Sequence, residues 1–237
     1  MNPAVGVEAV TLDFYNTLVF HRGSGRGARL MEFLQAEGLA SDPWEHQVLY
    51  DVFEPHAREY SPAHSSTEKH AYLSRLAERV FQRLNVRAAP GAAAGHATTI
   101  WELIGPHSLT VFPDVRPALD RLTTAGYRLA VISNWQCGLA HFCTELGIAQ
   151  YFEHVVSSAE VGCAKPSREI FELACQRLGV APDRVLHVGD TPADDLEGAH
   201  AAGMRAVLID RDHQTPHSIR SLEGILHILD ALKTREP

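Results

Sequence analysis

The sequence predicts an α/β fold, a doubly wound parallel sheet interrupted near its start by an inserted helical domain. Three features of the 237-residue chain point there. A short apolar run, Ala9-Val10-Thr11-Leu12-Asp13-Phe14, stands alone near the beginning and ends in the polar turn Asn16-Thr17. The long stretch after it spaces its apolar residues as helices do. From Val111 onward short apolar runs alternate with amphipathic segments, several of them stopped by glycine. Parallel neighbours can be joined only by a crossover, so this alternation predicts a parallel sheet with right-handed connections. The first strand joins that sheet from far upstream. Residues 20–111 are therefore expected as the insertion, a helical cap, with 1–19 and 112–237 forming the sheet domain.

Each element has its own signal. In the insertion, residues 26–35 are periodic through Ala28, Leu30, Met31, Phe33 and Leu34. A helix over 43–60 opens with Ser41 and Asp42 as caps and Pro43 in its first turn. Ser66 to Leu84 places Tyr72, Leu73, Leu76, Val80 and Phe81 on one face, and a looser helix follows the Ala-Pro-Gly break at 89–91, over 92–103. In the sheet domain the expected order is helix 114–125, strand 127–132, helix 138–146, strand 152–156 and helix 167–178. Strand 184–188, helix 194–202 and strand 206–209 complete it.

Composition narrows the function. With 45% hydrophobic and 21% charged residues, the chain has enough apolar material for a sizeable core and none of the poverty of a disordered segment. A net charge of −8 argues against a nucleic-acid binder, whose affinity rests on a basic surface, but leaves room for a local pocket for a small anionic substrate. No secretory signal is expected in Met1 to Val7, and no apolar stretch approaches the ~20 residues of a membrane helix. Cys137, Cys143, Cys163 and Cys175 never form a C-x-x-C pair, so reduced thiols in a cytoplasmic protein are expected. The fourteen histidines form no H-E-x-x-H or H-x-H pair. Composition says nothing of the oligomeric state.

Four polar clusters fall where open α/β sheets place ligands, at the carboxyl ends of strands. They are Asp13 to Thr17, Ser133-Asn134, Lys165-Pro166, and Gly189-Asp190 with Asp194 and Asp195. A carboxylate at a strand end can act as a covalent nucleophile. Two carboxylates ~4 Å apart repel by about 4 kcal/mol at an effective dielectric of ~20, so the acidic rim of Asp13, Asp190 and Asp195 calls for cations. Lys165 supplies one charge, and an oxygen-only donor set suits Mg2+ as a second. Thr17, Ser133 and the amide of Asn134 are then candidates for holding phosphoryl oxygens.

These clusters, in this order, resemble the motifs of the haloacid dehalogenase superfamily of hydrolases. Asp13-x-x-x-Thr17-Leu18 is similar to the nucleophile motif, and Val131-Ile132-Ser133-Asn134 to the second. Gly162-x-x-Lys165-Pro166 is similar to the third, and His187-Val188-Gly189-Asp190-Thr191 with Asp195 to the fourth. The resemblance implies a Rossmann-like core and phosphate monoester hydrolysis through an aspartyl-phosphate. It assigns Asp13 as nucleophile and metal ligand, Asp190 as metal ligand, and the backbone carbonyl of Tyr15 to the metal, with Asp195 in the same set. The family's phosphatases carry an acid at position 15 for general acid–base work. Tyrosine, with a pKa near ~10, is a poor base at neutral pH.

Tyr15 instead resembles the family's 2-haloacid dehalogenases. Those use a metal-free site with Ser-x-Asn in the fourth motif, whereas Gly189-Asp190 is intact here, and they have a tyrosine where this chain has Phe171. The acidic rim favours the phosphatase reading. A dehalogenase and a catalytically weakened binding or regulatory protein are the alternatives.

Blander readings stand beside these. Asp13 alone could cap a turn, Lys165 alone could be a surface lysine, and Asp194 and Asp195 could be the first-turn acids of a helix. The glycine-rich stretch 21–27 fits a hinge better than G-x-x-x-x-G-K-[ST], although His21, Arg22, Arg26 or Arg29 could reach a substrate from the cap. Trp44 and Trp101 are expected to pack within the cap, and Cys163 to be a packing residue.

Overall fold

The computed structural model describes residues 6–21, 25–39, 65–104, 109–135, 138–212 and 214–233. The chain divides into two compact units, one of residues 1–20, 111–134 and 139–237, the other of 21–110 and 135–138.

The first unit is built on five parallel strands: β1 (Ala9–Leu12), β4 (Arg128–Ser133), β5 (His154–Ser157), β6 (Val185–Gly189) and β7 (Arg205–Leu208). Their order is β5-β4-β1-β6-β7, so the chain builds outward on one side of β1 and then crosses to the other. Leu12 is in register with Val131 on one side and Val188 on the other, which makes β1 the middle strand and its carboxyl end the topological switch point. Central strands are covered on both faces, so β1, β4 and β6 read as continuous apolar runs rather than alternating ones.

Helices α5 (Val115–Thr124), α6 (Leu139–Glu145) and α8 (Arg168–Leu178) connect or flank the strands, with the short α7 (Ser158–Val161) after β5. Ile170, Phe171, Ala174, Cys175 and Leu178 of α8 are buried against Ala130, Ile132, Val156 and Val185 of the sheet. α8 ends at Gly179, whose φ of 62° is the left-handed cap that stops it.

Several elements differ from the sequence reading. β1 ends at Leu12 rather than running to residue 14, because the backbone turns at once after Asp13. Residues 19–21 form a strand, β2 (Val19–His21), paired with β3 (Leu109–Val111). The expected helix at 194–202 is a π-helical turn, Pro192–Glu197, running into the short α9 (Gly198–Ala201). A C-terminal helix, α10 (Glu223–Lys233), was signalled by Leu222, Ile225, Leu226 and Leu229, all buried, but its spacing escapes a reading fixed on strand–helix alternation.

The second unit contains α1 (Gly25–Ala36), α2 (Ser66–Arg83), α3 (Ala92–Gly95) and α4 (Ala97–Ile104). α2 starts with a capping box: Ser65 and Glu68 each bond the other's backbone N–H. Its face of Tyr72, Leu73, Leu76, Val80 and Phe81 is buried, and Trp101 meets Tyr72 edge-on at 5.9 Å. The looser helix expected at 92–103 is broken at His96, whose ring sits between Phe33 and Phe81. Arg29 donates to the carbonyl of Leu103 at 2.7 Å, so it braces α1 against α4 rather than standing free for a substrate. The helix expected over 43–60, Trp44 and Arg22 lie outside the described residues.

Candidate active site

The site grows from the end of β1. The Asp13 N–H donates to the carbonyl of Val188 at 2.8 Å, which continues the ladder by one residue and fixes where the Asp13 side chain leaves the sheet. Beyond it the chain folds into a tight turn, with the N–H groups of Leu18 and Val19 both donating to Phe14 O at 2.8 and 3.0 Å. Asn16 takes φ 58°, a left-handed conformation that asparagine tolerates better than most side chains.

The second and third segments are stapled together by one side chain. Asn134, just past β4, accepts from Lys165 N at 2.7 Å and donates to Lys165 O at 2.9 Å. Asn134 also donates to Asp194 at 3.4 Å. Its side-chain amide therefore orients the lysine segment, a role the sequence reading did not give it. Lys165 reaches inward, donating to Asp13 Oδ1 at 2.6 Å and to Asp195 Oδ1 at 2.5 Å, and only 3% of its side chain is exposed.

Asp195 sits on the π-helical turn, which aims its carboxylate back over β6. Its Oδ2 accepts from Thr191 N at 2.9 Å, and Oδ1 accepts from His187 Nε2 at 3.1 Å. His187 is fully buried, with its other nitrogen 2.9 Å from the Thr11 hydroxyl and its ring edge-on to Phe171. Gly189 is required beneath this carboxylate: a Cβ there would stand 2.1 Å from Asp195 Cγ. Asp190, half-buried, accepts from Asn16 Nδ2 at 3.2 Å.

The electrostatics follow from three carboxylates around one ammonium. Ligand oxygens of Asp13, Asp190 and Asp195 lie within 4.8 Å of one another. Burial pushes the Asp13 carboxyl up to about 7, with Asp195 and Asp190 adding to the rise and Lys165 opposing it. Burial, then Asp195, also raise Asp190. Asp195 goes the other way: burial would raise it, but His187 and Lys165 together hold it well below the usual carboxylate range. Burial alone would lower Lys165, yet Asp13 and Asp195 keep it above its ordinary value and charged. One lysine does not neutralise three acids, and the donors are all oxygen. This cluster fits a hard divalent cation.

Of the sequence candidates, Lys165 thus joins Asp13 and Asp195 directly, and Asp190 lies beside them, its ligand oxygen within 4.8 Å of theirs. Ser133 ends β4 with 2% exposed, in register with Ser157. Tyr15 is half-buried and bridges to Val19. Thr17 is buried, and its hydroxyl has no hydrogen-bond partner within the protein. Cys163 is half-buried and its thiol is raised by burial, in keeping with a packing residue. The sequence reading missed two residues. His187 supports Asp195, and Arg211 donates to the carbonyls of Asn16 and Thr17. Only the position of His187 within the fourth motif hinted at its role; Arg211 belongs to no motif.

The haloacid dehalogenase-like hydrolase family profile matches residues 7–203. The chain is 30% identical over 212 residues to a glyceraldehyde 3-phosphate phosphatase of Methanopyrus kandleri, covering 86% of this chain and 84% of that protein. It is 34% identical over 127 residues to haloacid dehalogenase-like hydrolase domain-containing protein 3 of Mus musculus, a match spanning 54% of this chain and only 51% of the mouse protein. Among solved structures, a 2-haloacid dehalogenase from Pseudomonas syringae pv. Tomato superposes with a TM-score of 0.60 at 26% identity, over 95% of this chain and 99% of that one. With the profile spanning all four motif segments, the chain belongs to the haloacid dehalogenase-like hydrolases.

Proposed function

We propose that this hydrolase cleaves small phosphate monoesters through an aspartyl-phosphate on Asp13, with Mg2+ as cofactor. The observation that carries the reading is the Asp13–Lys165–Asp190–Asp195 cluster, three carboxylates gathered within 4.8 Å of one another about one lysine. A dianionic ester approaches such a rim only when its charge is offset. The relative named as a phosphatase, aligned over most of both chains, supports the same chemistry.

Asp13, the Tyr15 carbonyl and Asp190 would hold the ion. Asp195, already accepting from Lys165, His187 and Thr191, contributes mainly its charge and the placing of Lys165. Bound there, Mg2+ supplies Lewis-acid stabilisation of phosphoryl oxygens. The rest is done by the chain. Lys165 holds Asp13 Oδ1, which orients the carboxylate and leaves Oδ2 as the attacking atom. Oδ2 forms a bond to phosphorus as the ester P–O bond breaks, and the leaving oxygen takes up a proton from solvent water. Water then attacks phosphorus, releasing inorganic phosphate and restoring the Asp13 carboxylate. Lys165, Thr17, Ser133 and the backbone amide of Asn134 would bind the phosphoryl oxygens, with residues 20–111 as the inserted helical domain.

Tyr15 favours a second reading, 2-haloacid dehalogenation, and the Pseudomonas syringae neighbour is named for that activity. Against it stands the intact Asp190 and the buried Phe171, which packs on His187 where that chemistry has a tyrosine. A panel of phosphate esters and 2-haloacids, each with Mg2+ and with a chelator, separates the two. Magnesium-dependent phosphate release is expected. Chelator-resistant halide release would overturn the proposal.

A further inference from the structure

We propose that Arg211 is a positioning residue for the catalytic turn, clamping residues 16–17 so that Asn16 presents its side chain to Asp190. Arg211 follows β7, where Ile209 N donates to Gly189 O at 2.9 Å and Asp210 N to Ile219 O at 2.9 Å, so its own backbone is anchored to the sheet. Its guanidinium donates through Nε to Asn16 O at 3.1 Å and through Nη2 to Thr17 O at 2.5 Å. Nη1 donates to both oxygens of Asp114, at 3.0 and 3.2 Å, and the group lies 3.6 Å from the centroid of the Phe112 ring. Four partners around one side chain use the rigid fork of donors that arginine has and lysine lacks.

Two observations separate this from an ordinary ion pair. Asp114 occupies the N-cap of α5 yet makes no cap bond; its carboxylate is turned instead to Arg211 and to Leu222 N at 2.7 Å. The pair is also largely enclosed, with 14% and 17% of the two side chains exposed. At the other end of the clamp is Asn16, held at φ 58°, whose Nδ2 donates to Asp190 Oδ2 at 3.2 Å. Fixing the Asn16 carbonyl from behind therefore fixes the amide that orients Asp190, and with it the Tyr15 carbonyl one peptide earlier. The kinetic consequence of the clamp rests on the phosphatase reading; its physical existence does not.

The test compares the full-length wild type with Arg211→Met, Arg211→Lys and Asp114→Asn. The last keeps the shape of the anchor while removing its charge, and so serves if Arg211→Met does not fold. The first readout is backbone amide exchange at Asn16, Leu18 and Val19, with Val10 and Leu12 as internal controls. The second is the rise in melting temperature on titrating Mg2+. The third is kcat and KM on p-nitrophenyl phosphate. In Arg211→Met the turn amides should exchange at least about tenfold faster while the β1 amides do not change. The Mg2+ midpoint should rise, and kcat should fall by ~10–100-fold with KM little altered. Arg211→Lys should not restore these values, and Asp114→Asn should shift them in the same direction by less. Variants with a lower melting temperature but wild-type turn exchange, Mg2+ midpoint and kcat would reduce Arg211 to a structural ion pair and overturn the proposal. If the wild type itself neither releases phosphate nor responds to Mg2+, the phosphatase reading fails, and the exchange readout alone still decides the clamp.

Discussion

Lys165 Nζ stands 2.6 Å from Asp13 Oδ1, with 3% and 7% of the two side chains exposed. The same ammonium is 2.5 Å from Asp195, so one buried cation holds apart two anions that would otherwise face each other. Lys165→Met removes the cation and leaves both carboxylates buried. Breaking a buried pair costs about 3–5 kcal/mol. The variant should unfold earlier by roughly that amount in the presence of a chelator, and lose activity by ~10²–10³. Asp13→Asn removes one surplus acid instead, and its chelated form should be as stable as the wild type or more so. Urea titrations of the three proteins with EDTA check both directions.

The raised Asp13 carboxyl makes a pH prediction for the chelated protein. An acid held at about 7 in the folded state and 3.8 otherwise keeps its proton on folding, so the folded form binds more protons between those values. Stability from this residue is therefore lost as pH rises from about 4 towards 7, and does not return above it. The melting temperature should fall over that window more in wild type than in Asp13→Asn, and added Mg2+ should raise it more at pH 8 than at pH 5. Equal profiles for the two proteins would show that Asp13 is not the group responsible.

On the proposed phosphatase chemistry, Tyr15 should set the leaving-group preference. General acid–base catalysis is worth ~10²–10⁴, so a site with tyrosine at this position should favour aryl and acyl phosphates over alkyl ones. Tyr15→Asp should recover part of that factor on an alkyl phosphate while leaving the Mg2+ midpoint unchanged, because the backbone carbonyl of residue 15 survives the change. Asn16, already bonded to Asp190, limits how far the new carboxylate can move. Turnover of one aryl and one alkyl ester by both proteins at saturating Mg2+ decides this.

Gly189 is a steric demand of the site rather than of the sheet. Its absent Cβ would sit 2.1 Å from Asp195 Cγ, and Asp195 is pinned by Lys165, His187 and Thr191. Gly189→Ala must push that carboxylate aside. Overpacking of this kind costs about 1–3 kcal/mol, and the displaced carboxylate should weaken Mg2+ binding beyond what the lost stability explains. Calorimetric titration of the folded variant with Mg2+ measures it.

How much of this was legible in the sequence depended on how local each signal is. The buried strands are continuous apolar runs, and Asp13, Lys165 and Asp190 each directly follow a strand or precede a helix, so their gathering at the switch point could be anticipated. Arg211 could not. Its partners Asn16, Thr17, Phe112 and Asp114 are brought to it only by the sheet order, and nothing in its immediate neighbours marks it. Thr17 shows the same limit of local signals: its place in the nucleophile motif is visible, but the burial of its hydroxyl follows from a turn closed by backbone bonds to Phe14. The π-helical turn escaped because Pro192 to Glu197 reads as an ordinary helix start; its wider spiral is what carries Asp195 back over Gly189.

Covalent phosphorylation of Asp13 is what the proposed chemistry requires, and acid-quenched peptide mapping detects it. Wild-type protein mixed with an aryl phosphate and Mg2+, quenched within the first turnovers and reduced with borohydride, should carry its modification on the peptide containing Asp13, and carry none when EDTA is present. Phosphate release that continues with no modification at Asp13, or with the modification on another residue, would contradict it.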